Sequence, residues 1–230
     1  GSTNQSYDTM NDIILPEQFI PPPNKTGVSI LISSYNTRGV YIQECLDSIK
    51  KQEGYFNIEL VWINDGSDNL HTKLLRKYLD NFTKTTRFIK VIYHENEGNK
   101  GIGYTLNTGI QMCSYELIIK MDSDDIMVNN RIQKQLNFMD SNPNVMICGS
   151  QIQCFKDDNI NNIVNITKHP SITWEEYKKT KSHWISNHPS LCYRKKAVLE
   201  AGNYDIDKSR MTEDFDLTLR MLKTHGYLHN

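Results

Sequence analysis

Leu117-Ile118-Ile119-Lys120-Met121 is a short apolar run that breaks directly into Asp122-Ser123-Asp124-Asp125, and this junction sets the fold class. The run is too short for a helix and reads as a buried strand over 117–121. Alternate residues of an extended chain point to the same side, so Asp122 and Asp124 are expected together with Ser123 facing away. Paired carboxylates at a strand end suit a hard cation such as Mg²⁺ or Mn²⁺, which adds water and phosphate oxygens to complete its shell. The plainer alternative is a solvated acidic turn that caps the following helix.

Outward from this junction the same alternation repeats. Strands are predicted over 28–32, 58–63, 88–93 and 117–121, and helices over 41–49, 70–82, 104–113 and 131–140. Elements of this length and order predict an α/β fold, with a central, mostly parallel sheet and helices on both faces. After Pro143 the alternation loosens, with a strand-like stretch over 145–155, a short strand over 163–166 and helical signals over 174–181, 195–201 and 213–222. This later part is expected to form a smaller mixed region packed on the first. Residues 1–27 read as an arm leading into the domain: Gly1-Ser2 resembles a tag remnant, and Pro21-Pro22-Pro23 cannot continue a helix or enter a central strand.

Ligands of open parallel sheets bind beyond the carboxyl ends of the strands. Those ends carry Ser33-Ser34-Tyr35-Asn36, Asn64-Asp65-Gly66-Ser67-Asp68, His94-Glu95-Asn96-Glu97-Gly98 and the Asp122–Asp125 cluster. Thr212-Glu213-Asp214-Phe215-Asp216 places further carboxylates in the first turn of a helix whose apolar face would be Phe215, Leu219 and Leu222. Capping by Thr212 explains that pattern without a function. Trp184 and His188 stand in the irregular later part, where a lone histidine is more often structural than a ligand.

Composition excludes several classes. At 230 residues, 38% hydrophobic, 23% charged and a net charge of -1, the chain has no bulk attraction for nucleic acid or an anionic membrane. Its five cysteines include no C-x-x-C pair, so buried reduced thiols in a cytoplasmic protein are expected. No apolar stretch reaches the ~18 residues of a membrane span. EF-hand spacing fails at both Asp122 and Asp65, and Gly98-Asn99-Lys100-Gly101-Ile102-Gly103 has Leu106 where a dinucleotide fingerprint needs its third glycine. The P-loop, zinc-protease and nucleophile-elbow motifs do not occur.

Taken together, the strand ends resemble those of the family 2 glycosyltransferases of GT-A type, from about Val28 to the end of the chain. Val28 to Asn36 is similar to that family's opening strand and nucleotide loop, and Asn64-Asp65-Gly66-Ser67-Asp68 to its N-D-G-S-x-D turn. Asn96-Glu97-Gly98 through Leu106-Asn107-Thr108-Gly109 resembles its helix-opening segment, Asp122-Ser123-Asp124-Asp125 its D-x-D-D, and Thr212-Glu213-Asp214 its T-E-D. The resemblance implies an inverting transfer of a hexose from a UDP-sugar to a glycan, protein or lipid-linked acceptor, assisted by Mn²⁺ or Mg²⁺. It divides the domain into a nucleotide-binding half, 28–142, and an acceptor half, 143–230. It also implies nucleotide-sugar contacts from Ser34, Tyr35, Asp65, Lys100, Asp122 and Ser123, with Tyr35 on the uracil face and Asp65 on its edge. Metal ligation falls to Asp124 and Asp122, and the catalytic base to Asp214, with Glu213 beside it. Many relatives carry a further metal-side histidine after the T-E-D helix, where this chain offers His225 and His229. A nucleotide-sugar-binding module without turnover and a nucleotidyltransferase are the competing readings.

Overall fold

The structure, a computed structural model, describes residues 12–14, 26–181, 184–207 and 212–230. The Pro21–Pro23 run and Met211 lie outside the described residues. The elements in chain order are β1 (Asp12–Ile14), β2 (Gly27–Ser34), α1 (Gly39–Lys50), β3 (Asn57–Asn64), α2 (Asn69–Thr85), β4 (Ile89–Glu95), α3 (Ile102–Met112), β5 (Leu117–Lys120) and α4 (Arg131–Ser141). Then follow β6 (Ile147–Cys148), β7 (Gln153–Phe155), β8 (Ile163–Ile166), β9 (Ile172–Thr173), α5 (Trp174–Thr180), β10 (Cys192–Arg194), α6 (Lys195–Glu200), α7 (Glu213–His225) and β11 (Tyr227–Leu228).

Among the described residues the main sheet has seven strands in the order β1-β4-β3-β2-β5-β10-β6. β2 pairs in parallel with both β3 and β5, and β3 in parallel with β4. These strands read as continuous apolar runs because both of their faces are covered. Val28, Ile30 and Ile32 point with Ile58, Leu60 and Trp62 to one face, where α1, α2 and α4 pack. Leu31, Val61 and Ile63 point to the other, against α3, α6 and α7. The side-chain period of two thus turns one hydrophobic run into two cores.

The later part of the chain joins this sheet as well as packing on it. β10 lies antiparallel between β5 and β6, with Cys192 opposite Ile119 on one side and Cys148 on the other. Without it the inner edge of β5 would leave its ladder groups unpaired. The stretch predicted as one strand over 145–155 is two: β6 ends at Cys148 inside the main sheet, and β7 begins at Gln153 in a separate hairpin with β8. The N-terminal arm likewise contains a strand, since β1 pairs antiparallel with the outer edge of β4. Along α7 the buried stripe is Leu217, Thr218, Met221 and Leu222, so the predicted face is rotated, and Phe215 and Leu219 are only half-buried. Of the five free cysteines, four are buried and Cys154 is half-buried.

Candidate active site

The carboxyl ends of β2, β3 and β5 open on a cleft of about 250 Å³, whose walls include Ser34, Tyr35, Asp65, Asp122, Ser123 and Asp124. Its geometry begins with a departure from the extended chain expected after β5. The strand stops at Lys120, and the Asp125 N–H donates to the Asp122 carbonyl at 3.2 Å, closing a turn. A turn gathers what an extended strand would separate, and the carboxylates of Asp122, Asp124 and Asp125 lie within 4.8 Å of one another. Ser123 does not face away: its hydroxyl is 2.7 Å from that of Thr37 in the β2–α1 loop, and both line the cleft.

The charges beneath this turn are arranged unevenly. Lys120 is fully buried and its ammonium donates to the Met121 carbonyl at 2.9 Å and to Asp122 Oδ1 at 3.2 Å. Burial pushes the Asp122 carboxyl up, but the surrounding groups, led by the charge and hydrogen bond of Lys120 and including His188 and Arg131, together outweigh it and leave Asp122 below the usual carboxylate range. At Asp125 burial and the charges of Asp122 and Asp124 outweigh the opposing pull of Lys120 and Arg131 and raise the carboxyl to about 7. Three oxygen-only ligands, one of them exposed at Asp124, form the donor set that a hard divalent cation takes.

Asp65 is placed by a different logic. Its Oδ1 accepts from Asn96 Nδ2 at 3.0 Å and the Lys100 N–H at 2.7 Å. Its Oδ2 accepts from Asn99 Nδ2 and the Gly101 N–H, both at 3.1 Å. The carboxylate thus ties the β4–α3 loop to the end of β3, and occupies the positive N-terminal end of α3. Lys100 contributes its backbone here, while its exposed side chain stands apart from the residues that line the cleft. Ser34 is buried, with its hydroxyl accepting from Trp62 Nε1 at 2.9 Å, whereas Tyr35 is 54% exposed and leaves a ring face open to a ligand. Asn36, in the left-handed region at φ 51°, accepts from the Asp68 N–H and donates to Ser67 Oγ, which joins the loops after β2 and β3.

Glu213 and Asp214 open α7 but are not among the residues lining the cleft. Thr212 takes the N-cap position without a side-chain capping bond, so capping by that hydroxyl is absent. Burial first, and then the charges of Asp214 and Asp205, raise the Glu213 carboxyl. Trp184 meets Phe215 edge-on, with ring centroids 5.5 Å apart. Between α7 and the acidic turn lies a polar chain: His188 Nε2 is 2.6 Å from the Tyr204 hydroxyl, itself 3.0 Å from that of Tyr193. The Tyr204 hydroxyl is held protonated by burial and by the fields of Tyr193, Asp214 and Asp122. His225 and His229 are elsewhere, at the Ala197 carbonyl and stacked on Phe138.

Sequence reasoning missed Thr37, Ile102 and Thr105 on the cleft wall, the third carboxylate at Asp125, and Lys120. A lysine inside an otherwise apolar strand was the available signal.

A doubly covered, mostly parallel sheet with carboxylates and an exposed aromatic at its strand ends defines a GT-A type transferase fold. The chain belongs to glycosyl transferase family 2, whose pattern matches residues 29–201. It is 30% identical over 203 residues to an uncharacterized glycosyltransferase of Haemophilus influenzae, covering 88% of this chain and 72% of that one. It is also 30% identical over 199 residues to the Escherichia coli UDP-Gal:alpha-D-GlcNAc-diphosphoundecaprenol beta-1,3-galactosyltransferase, covering 84% and 67%. Among solved structures, S. aureus TarS 1-349 in complex with UDP-GlcNAc superposes with a TM-score of 0.66 at 17% identity, over 86% of this chain and 53% of that one. The Pyrobaculum calidifontis mannosyltransferase PcManGT, in complex with GDP-Man and Mn²⁺, gives 0.65 at 14%, over 99% and 59%. The chain thus spans just over half of these solved structures. It is a glycosyltransferase, and among the described residues no helix is long and apolar enough to cross a membrane.

Proposed function

We propose that the protein transfers a hexose from a UDP-sugar to an acceptor hydroxyl with inversion at the anomeric carbon. The observation that carries this reading is the acidic turn after β5, which faces the same cleft as the exposed Tyr35 ring. A stacking surface at one wall and a hard-cation donor set at the other suit the two ends of a nucleoside diphosphate. Tyr35 packs on the uracil, Asp65 and Ser34 border its edge, and Ser123 with Asp122 meets the ribose. Asp124 and Asp122 hold Mn²⁺ or Mg²⁺, which when bound offsets the charge that develops on the diphosphate leaving group. The field at the N-terminus of α3 is met by the Asp65 carboxylate, which leaves the exposed Lys100 side chain as a cation that can turn toward the diphosphate.

Asp214 takes the proton of the attacking hydroxyl, with Glu213 beside it, and in this role must come within ~3 Å of that oxygen. The acceptor approaches along a second, larger cleft of about 780 Å³ that begins at Asp125 and runs beneath the β7–β8 hairpin. Its lining mixes amides such as Asn129 and Gln151 with apolar groups such as Val128, Phe155 and Ile166, which suits a glycan or the saccharide end of a lipid-linked acceptor. A UDP-sugar donor and mostly buried free thiols support a cytoplasmic setting for this chemistry.

The test is calorimetry with UDP in Mn²⁺ and in EDTA, followed by single-turnover transfer. Asp124→Asn should weaken binding strongly in Mn²⁺ and little in EDTA; identical affinities to the parent in both buffers would remove the metal site from this turn. Asp214→Asn should retain UDP affinity and melting temperature while transfer slows ~10²–10⁴-fold. Transfer at the parent rate excludes Asp214 as the base, and binding without turnover by the parent favours a non-catalytic module.

A further inference from the structure

Lys120 is fully buried in β5, all of whose residues are buried, so its charge has been removed from water. A buried ammonium is costly unless paired, and an apolar side chain at such a place is usually as stable or more so. The partners it reaches are the Met121 carbonyl at 2.9 Å and Asp122 Oδ1 at 3.2 Å. Just beyond them, the carboxylates of Asp122, Asp124 and Asp125 crowd within 4.8 Å. Like charges this close repel by several kcal/mol even at an effective dielectric of about 20. Something must offset that repulsion when no cation is present. His188, the nearby imidazole, is pushed by burial and by the Lys120 charge to about 3 and is neutral. The Arg131 guanidinium, which donates to the Lys120 and Leu191 carbonyls, adds positive charge behind the turn, and the Lys120 ammonium contacts one of its carboxylates directly.

We propose that Lys120 is a fixed internal counter-ion: it holds Asp122 and the acidic turn in place without metal, and keeps divalent-cation affinity low until a diphosphate arrives. The proposal rests on the reading of this turn as the metal site. With its ammonium on Asp122 Oδ1, Lys120 cancels one unit of the turn's negative charge and so weakens the attraction felt by an entering cation. A diphosphate supplies the missing negative charge, so metal and donor enter together rather than the metal residing alone.

The experiment titrates Mn²⁺ without nucleotide, following free Mn²⁺ by electron paramagnetic resonance, and measures melting temperature with and without Mn²⁺. Lys120→Gln keeps donor N–H groups but removes the charge, and Lys120→Arg keeps the charge. The expected result is Mn²⁺ binding at least about tenfold tighter in Lys120→Gln than in the parent, with Lys120→Arg within about threefold of the parent. Metal-free Lys120→Gln should melt lower than the parent and regain more temperature on adding Mn²⁺. Equal or weaker Mn²⁺ affinity in folded Lys120→Gln overturns the proposal. If that variant is unfolded without metal, folding in Mn²⁺ supports the counter-ion role, and failure to fold in Mn²⁺ overturns it. Asp124→Asn separates the two levels: parent-like Mn²⁺ binding by that variant removes the metal site itself, whereas loss of binding there leaves a negative Lys120 result to count against Lys120 alone.

Discussion

Asp65 shows how one side chain is spent twice, as a cleft wall and as the knot of the β4–α3 loop. Its acceptor positions take N–H groups from Asn96, Asn99, Lys100 and Gly101, so a base edge arriving at this carboxylate must share or displace one of them. Asp65→Ala removes an acceptor shared by four donors, one of them on the buried Asn96, and should cost about 1–3 kcal/mol of stability, read as a lower urea midpoint. Asp65→Asn should lose a similar amount, because its amide N–H₂ meets donors rather than acceptors. If Asp65 also reads uracil, the Ala variant, where it stays folded, discriminates less between UDP and CDP. Unchanged discrimination together with lowered stability would assign Asp65 to the loop alone. The N-D-G-S-x-D turn was legible from its residue types, but the loop that engages its aspartate lies more than thirty residues on, and no local pattern connects the two.

Among the elements, α3 is held unusually close to the chain that precedes α7. A Cβ added at Gly103 would meet the Asp205 carbonyl oxygen at 1.8 Å, and Asn107 in the next turn exchanges hydrogen bonds with the Tyr204 backbone in both directions. Glycine to alanine inside a helix ordinarily stabilises by up to about 1 kcal/mol. Here a backbone atom stands in the way and cannot rotate aside, so the steric term wins. Gly103→Ala should destabilise by about 2 kcal/mol or more and lower the melting temperature by several degrees. An unchanged or raised melting temperature would show that the 203–206 segment yields easily. The positions and types of the elements from β2 through α4 were readable from periodicity, whereas β1 and the stretch over 145–155 were not. Its apolar residues look alike, yet β6 ends inside the sheet and β7 starts a hairpin whose tip reaches Tyr41 through Asp158 Oδ1 at 2.9 Å.

At the scale of the molecule, the buried polar chain His188–Tyr204–Tyr193 joins the turn at His188 and the segment before α7 to β10 of the main sheet. Burial holds the His188 imidazole at about 3 instead of 6.5. Below about pH 6.5 the unfolded chain takes up a proton that the folded chain refuses, so stability present above that pH is lost as pH falls toward 3. The slope from this group is at most about 1.4 kcal/mol per pH unit. His188→Gln keeps a hydrogen-bonding group for Tyr204 and removes the titration, and its stability should fall less steeply than the parent's between pH 6.5 and 4. Parallel slopes would mean that His188 takes up its proton in the folded state as readily as in the unfolded one.

By itself the sequence determined the α/β class, the strand ends that carry polar groups and the family, because buried strands and covered helices impose periods that depend only on near neighbours. It also located Tyr35, Asp65, Asp122, Ser123 and Asp124, which the fold brings to one cleft. Tertiary structure alone decided that the chain after β5 turns rather than extends, which brings Asp125 to the other carboxylates and turns Ser123 inward. It alone decided that β10, from the far end of the chain, inserts antiparallel beside β5. Both outcomes are set by partners distant in sequence: the Ser123 hydroxyl meets Thr37, and the Lys120 N–H finds the Leu191 carbonyl at 2.8 Å. A polar group's local pattern states that it needs a partner, and only the folded chain states which one it gets.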